Sequence, residues 1–78
     1  MSIGLLYDYS KLKGRIVEKF GSQAMFADKM LMSVHTLSLK LNNKATWNQS
    51  EMVRAADLLE FPLCDIQVYF FTLKVQNA

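Results

Sequence analysis

Few residues in this chain have side chains that could carry out catalysis or bind a metal. The 78 residues include one histidine, His35, one cysteine, Cys64, and seven dispersed acidic residues. Nucleophilic catalysis needs a nucleophile with a base within reach, and a structural zinc site needs about four ligands. The sequence offers neither set and no glycine-rich phosphate-binding motif. We therefore expect no enzymatic activity, no cofactor and no metal site.

Binding to another macromolecule is the chemistry that remains, and the charge distribution indicates where it occurs. The net charge is only +2, but residues 1–47 carry seven Lys or Arg against three acidic residues. Residues 48–78 carry two against four. The N-terminal part is therefore the better candidate for contact with a polyanion. The alternative is that these charges form an ordinary solvated surface.

The basic half contains two short helices in close succession. Ser22 and Ser33 can each cap a helix N-terminus, and the apolar spacing predicts helices over residues 22–30 and 34–42. Ala27 is small enough to let the two helices approach closely. The expected packing residues are Phe26, Ala27, Met30, Met32, Leu37 and Leu41. Two helices joined by a turn of about three residues are typical of a helix-turn-helix DNA-binding unit.

Three more helices are predicted around this pair. The spacing of apolar residues indicates a first helix over residues 9–20, with Gly21 as its C-terminal cap. Asn48 is placed to cap a fourth helix. A fifth is predicted over residues 62–70, with Pro62 in its first turn. The expected fold class is thus all-α, with five helices in one domain that spans residues 1–78.

The C-terminal residues 71–76 alternate apolar and polar types, which is typical of a β-strand. No partner strand is predicted within the chain. The segment is therefore either a frayed continuation of the fifth helix or an edge that pairs with the same strand of a second subunit. The second alternative predicts a homodimer.

The sequence also indicates where the protein acts. The longest apolar stretch, residues 66–73, is too short to span a membrane, and the N-terminus lacks the pattern of a secretory signal. A single cysteine cannot form an intramolecular disulfide, which fits a reducing compartment. We expect a cytoplasmic protein that makes no membrane contact.

Several motifs resemble the phage repressor and Cro family of helix-turn-helix regulators. The resemblance covers roughly residues 9–71 and rests on Gln23, Ala27, Met32-Ser33, Leu37-Ser38 and Asn42-Asn43-Lys44. More narrowly, residues 37–44 and the ending Tyr69-Phe70-Phe71 are similar to short Cro-like proteins of Gram-positive bacteriophages and prophages. The resemblance implies a lambda repressor/Cro-like domain that binds double-stranded operator DNA as a homodimer in the bacterial host cell.

The resemblance also assigns DNA contacts to individual residues. It places Gln23, at the start of the second helix, against a phosphate. It places base contacts on the third helix, at Val34, His35, Ser38 and Leu39. The residues implied to contact the DNA backbone are Ser33, Lys40, Asn42, Asn43 and Lys44. The N-terminal part of such a helix enters the major groove, and nearby amides and cations position it.

Two features depart from the family pattern. Leu31 stands where the family usually has glycine, so the turn is either strained or differently shaped, since a left-handed leucine costs on the order of 1–2 kcal/mol. Val34 and Leu39 are apolar on a face expected to contact bases. An exposed apolar pair favours docking onto a protein. The alternative function is therefore a modulator or antirepressor that engages a phage repressor through this same surface.

Overall fold

The computed structural model describes residues 6–74. Its elements in chain order are α1 (Ser10–Phe20), α2 (Gln23–Lys29), α3 (Val34–Leu41), α4 (Gln49–Leu59), a short 3-10 helix (Leu63–Asp65) and α5 (Ile66–Phe70). The all-α class predicted from the sequence is confirmed for this part of the chain. No helix within residues 6–74 is both long and apolar enough to cross a membrane.

The helix boundaries follow the capping residues. Gly21 ends α1 with a φ of 81°, in the left-handed region that glycine adopts without steric cost. The Ser22 side chain accepts from the backbone N–H of Met25 at 3.2 Å and starts α2. Ser33 starts α3 in the same way, through Thr36 at 3.0 Å. These caps leave short connections, so the chain turns sharply, α1 packs on α2, and α2 packs on α3.

A reciprocal capping box starts α4. The Asn48 side chain accepts from the Glu51 backbone N–H at 2.8 Å, and the Glu51 carboxylate accepts from the Asn48 N–H at 3.0 Å. The prediction for α5 needs a correction. Pro62 precedes the helical residues in an extended conformation, and the chain begins as a 3-10 helix at Leu63 before it becomes α-helical at Ile66.

All five helices contribute to a single apolar core. The six largest side chains with almost no exposure are Leu12, Ile16, Phe26, Leu37, Leu59 and Phe70. On α2 and α3, the buried residues include Phe26, Ala27, Met30, Leu37 and Leu41, as the spacing predicts, and Met32 is half-buried. The close packing of α2 on α3 fixes which sides of these two helices face solvent.

The C-terminal segment has its partner within the chain. Tyr7 and Leu73 form an isolated antiparallel bridge, flanked by two backbone hydrogen bonds of 2.7 and 2.9 Å. The prediction that this strand lacks an intrachain partner is therefore wrong, because residues 6–8 supply one just before α1. The pairing amounts to a single bridge, and residues 75 and 76 of the predicted strand lie outside the described part. Pairing between subunits stays a prediction.

Asn43 ties the end of α3 to this terminal bridge. Its side-chain oxygen accepts from the Tyr7 backbone N–H at 2.8 Å, and its side-chain nitrogen donates to the Tyr7 carbonyl at 2.9 Å. The residue has a φ of 62°, in the left-handed region that asparagine tolerates better than most residues. The Asn43 amide thus hydrogen-bonds the Tyr7 backbone as a second neighbouring strand would, in addition to the bridge with Leu73. It joins sequence positions that are 36 residues apart.

We expect Asn43→Ala to lower the free energy of unfolding by about 2–3 kcal/mol. The variant loses two hydrogen bonds worth about 1 kcal/mol each, and it places alanine in the left-handed region. Urea unfolding measures the change. Asn42→Ala is the matched control, because Asn42 is exposed and its side chain bonds only within its own helix. Equal losses in the two variants would contradict the tie to Tyr7.

Candidate macromolecule-binding surface

The α2–turn–α3 segment carries a set of exposed and half-buried side chains. We call it the α2–α3 surface and define it by Gln23, Leu31, Ser33, Val34, His35, Ser38 and Leu39. Phe26 and Ala27 of α2 are buried in the core and anchor the segment there. A backbone hydrogen bond from Met32 to Ala27, at 3.0 Å, fixes the turn.

Leu31 is the most unusual residue of this surface. Its φ is 61°, and 80% of the residue is exposed. A left-handed conformation costs a non-glycine residue about 1–2 kcal/mol, and the exposed side chain recovers little of it by packing. Of the two possibilities that the sequence raised for this turn, the structure has the strained one.

The outer face of α3 carries the residues predicted to contact bases. Val34 is about half exposed and His35 is exposed, whereas Ser38 and Leu39 are half-buried. Residues three and four apart lie on the same side of a helix, so Val34 and His35 lie near Ser38. The accessible part of this face therefore combines an apolar group with the imidazole and a hydroxyl.

Ser33 and Gln23 lie at helix starts. The Ser33 hydroxyl accepts from the Thr36 backbone N–H and donates to the Thr36 side-chain oxygen at 2.9 Å. Its proton is therefore engaged within α3, which limits its use toward a phosphate. Gln23 is the first residue of α2 and is half-buried.

Lys40 does not lie on the predicted surface. It is only 8% exposed, and its Nζ donates to the Thr46 carbonyl at 2.7 Å and to Glu51 Oε1 at 2.9 Å. Nζ also lies 5.8 Å from the centre of the Trp47 ring. The predicted contact with a DNA backbone is therefore corrected, because this ammonium already neutralises a carboxylate inside the fold.

Asn42, Asn43 and Lys44 have three different environments. The Asn42 side chain donates to the Ser38 carbonyl at 2.8 Å, within α3. Asn43 is occupied by the backbone of Tyr7, which corrects its predicted role at the DNA backbone. Lys44 is exposed. Of the two lysines predicted to contact phosphates, Lys44 is therefore the one with an accessible side chain.

Comparison with known proteins identifies the family. A family model described as protein of unknown function (DUF739) matches residues 5–73. The chain belongs to the DUF739 family. No curated protein matches the sequence. This match does not show the predicted membership of the Cro/repressor family.

A solved structure is similar to this DUF739 protein over most of both chains. It is the solution structure of the modulator of repression (MOR) of the temperate bacteriophage TP901-1 from Lactococcus lactis. The identity is 50%, the TM-score is 0.76, and the match covers 90% of this chain and 95% of the other. The similarity supports the phage origin expected from the sequence.

One residue important for the geometry of this surface in the DUF739 protein was missed in the sequence. Arg54 of α4 donates through Nε and Nη2 to the Lys29 carbonyl, at 3.2 and 3.1 Å, and so caps the end of α2. The contact spans 25 residues of sequence, and no local pattern signals it. It fixes the end of α2 from which the turn with Leu31 begins.

We expect Lys40→Ala to lower the free energy of unfolding by about 1–3 kcal/mol, because it leaves the partly buried Glu51 carboxylate without its cation. Lys44→Ala is the matched control, since its side chain is exposed, and a change within about 0.5 kcal/mol is expected. Thermal and urea unfolding measure both. A Lys40→Ala variant as stable as Lys44→Ala would show that the ion pair does not hold the fold.

Proposed function

We propose that the chain is a phage or prophage regulatory protein that modulates repression by binding a phage repressor through its α2–α3 surface. The observation that carries the proposal is the exposed, strained Leu31 in the turn, followed by the half-exposed Val34 at the start of α3. Similarity to a modulator of repression at 50% identity supports it. The proposal places the protein in the bacterial cytoplasm and assigns it no catalytic step.

Leu31 is easier to explain by protein binding than by DNA binding. Glycine at this position would avoid a cost of about 1–2 kcal/mol. A leucine that becomes fully buried in an interface contributes about 1.5–3 kcal/mol, which is enough to offset the strain. Strain that persists in a folded protein is typical of functional positions. On a DNA-binding surface the side chain would have only a methyl group of thymine as an apolar partner.

The charge on the surface supports the same conclusion. Binding to a DNA backbone depends on cations that neutralise phosphates and release counterions. The Lys40 ammonium is paired with Glu51. Of the two lysines predicted to contact phosphates, Lys44 is therefore the one that is exposed. Protein interfaces, in contrast, have cores depleted in charged residues and enriched in apolar ones.

Operator binding by a Cro-like helix-turn-helix is the second candidate. The observation in its favour is the arrangement of α2 and α3, which are joined by four residues and expose the N-terminal residues of α3. In such a domain His35 and Ser38 would contact base edges, and a homodimer would place two such helices in successive major grooves about 34 Å apart. This candidate function requires a homodimer.

Leu31→Gly separates strain from binding. We expect the free energy of unfolding of this variant to stay the same or to rise by up to about 1 kcal/mol. Glycine removes the steric cost of the left-handed φ, but it also increases the conformational entropy of the unfolded chain. We expect its affinity for the repressor of the phage that encodes this chain to fall about tenfold or more, because the apolar contact is lost.

Calorimetric titration of the purified repressor measures this affinity, with Leu63→Ala as the matched control. Leu63 is also an exposed leucine, at 59%, but it lies in the 3-10 helix away from α2 and α3. Its truncation should leave repressor binding unchanged. Full repressor affinity in Leu31→Gly would remove Leu31 from the interface and weaken the proposed function.

Operator binding predicts a different set of effects, measured by fluorescence anisotropy on phage intergenic duplexes at about 50 and 200 mM salt. The double variant His35→Ala/Ser38→Ala should lose discrimination between duplexes, and Lys44→Ala should lower the salt slope by about one. Lys40→Ala should leave the slope unchanged, since its ammonium is paired. Absence of any salt-sensitive, sequence-dependent binding by the unmodified protein would reject this second candidate.

A further inference from the structure

An apolar face lies exposed between α4 and the C-terminal helical segment. Two open depressions, of about 310 and 350 Å³, share Val53 of α4 as a lining residue. The first is also lined by Leu63 of the 3-10 helix, and the second by Ile66 and Phe71 at the two ends of α5. Val53, Leu63 and Phe71 are between 46% and 59% exposed. We call this the α4–α5 face and define it by Met52, Val53, Asp57, Leu63, Ile66 and Phe71.

The shape of this face suits a helix from another protein. Val53 and Asp57 are four residues apart, so they lie on the same side of α4. Val53 borders a depression on each of two sides, and the apolar walls come from two different elements. An amphipathic helix carries its apolar side chains at spacings of three and four, and such a stripe can enter successive depressions of an apolar groove.

The segment that forms this face is negative, unlike the protein as a whole. Residues 49–71 carry four acidic residues against one basic residue, a net charge of −3, whereas the whole chain carries +2. The basic residue is Arg54, whose guanidinium donates to the Lys29 carbonyl. Asp57 is exposed, lines one depression and has no ion-pair partner within residues 6–74. Electrostatic complementarity therefore favours a partner that brings positive charge.

The same charges disfavour other occupants of the face. A second copy related by a two-fold axis would bring the same segment of both chains together, and two segments of charge −3 repel each other. Nucleic acid and anionic lipid surfaces are negative and are also repelled. Lysine and arginine, in contrast, can lay their apolar stems along such a face while their charged groups reach a carboxylate at its rim.

We propose that the α4–α5 face binds a basic amphipathic helix of a partner protein. The apolar stripe of that helix covers Val53, Leu63 and Phe71, and a lysine or arginine beside the stripe pairs with Asp57. None of the residues that define the α2–α3 surface lines either depression. The proposal is therefore independent of the proposed repressor binding, and either can fail without the other.

A pair of synthetic peptides tests the chemistry of the occupant. Each has about 15 residues, with leucine at spacings of three and four, and the other positions are lysine in one peptide and glutamate in the other. Calorimetric titration measures the affinity of each for the unmodified protein. We expect the lysine peptide to bind at least about tenfold more tightly, although the protein itself is positive. Equal affinities, or no binding of the lysine peptide, would overturn the proposal.

Two pairs of matched variants locate the binding. Val53→Ser removes an apolar contact, and Val17→Ser is its control, since Val53 is 49% exposed on α4 and Val17 is 53% exposed on α1. Asp57→Asn removes the carboxylate, and Asp28→Asn, at an exposed position of α2, changes the net charge equally. We expect the lysine peptide to bind about three- to tenfold more weakly to Val53→Ser and about two- to fivefold more weakly to Asp57→Asn, with both controls unchanged. Equal affinities within either pair would overturn the site.

Sedimentation tests whether a second copy covers the face instead. We expect Val53→Ser to leave the sedimenting mass of the protein unchanged, whatever contacts its subunits make elsewhere. A dimer that Val53→Ser dissociates and Val17→Ser preserves would show that the occupant is another copy of this chain, and it would overturn the proposal.

Discussion

One carboxylate oxygen, Glu51 Oε1, joins the elements on which the rest of the structure depends. It accepts from the Asn48 backbone at 3.0 Å and from Lys40 Nζ at 2.9 Å. The first contact starts α4, and the second holds the end of α3 against that start. Lys40 also binds the Thr46 carbonyl, so the intervening loop is fixed at the same point. Because the pair is partly buried, loss of one partner leaves the other charge poorly solvated. This destabilises the fold more than replacing both groups by apolar ones would.

This arrangement determines what the α2–α3 surface can offer. A lysine that is used inside the fold is not available to a phosphate, and the exposed side chains of this surface include the apolar Leu31 and Val34. The strain at Leu31 is tolerated because Phe26 and Ala27 anchor the preceding helix in the core, and Arg54 caps its end. A position that costs stability in the free chain is favourable only where a partner covers it, which is the physical basis of the proposed repressor binding.

The sequence predicts well what depends on neighbouring residues. The caps at Ser22, Ser33 and Asn48 and the buried positions of α2 and α3 follow from local patterns, because capping bonds and helical faces involve residues three or four apart. From the sequence, Lys40 and Asn43 are placed at the DNA backbone, the first as a cation and the second from the family resemblance, and neither indication shows a partner inside the fold. Their actual partners lie 6 to 36 residues away. The intrachain bridge of the C-terminal segment was missed for the same reason, since three residues before α1 are too short to show a strand pattern.

The α3–α4 loop joins the end of α3 to the core. Its Thr46 carbonyl accepts from Lys40 Nζ, and Trp47 packs on Phe70 at the end of α5. Changes in the loop therefore affect the stability of the whole fold. Changes at Leu31 affect the α2–α3 surface alone, because that side chain is 80% exposed and contributes little to the core.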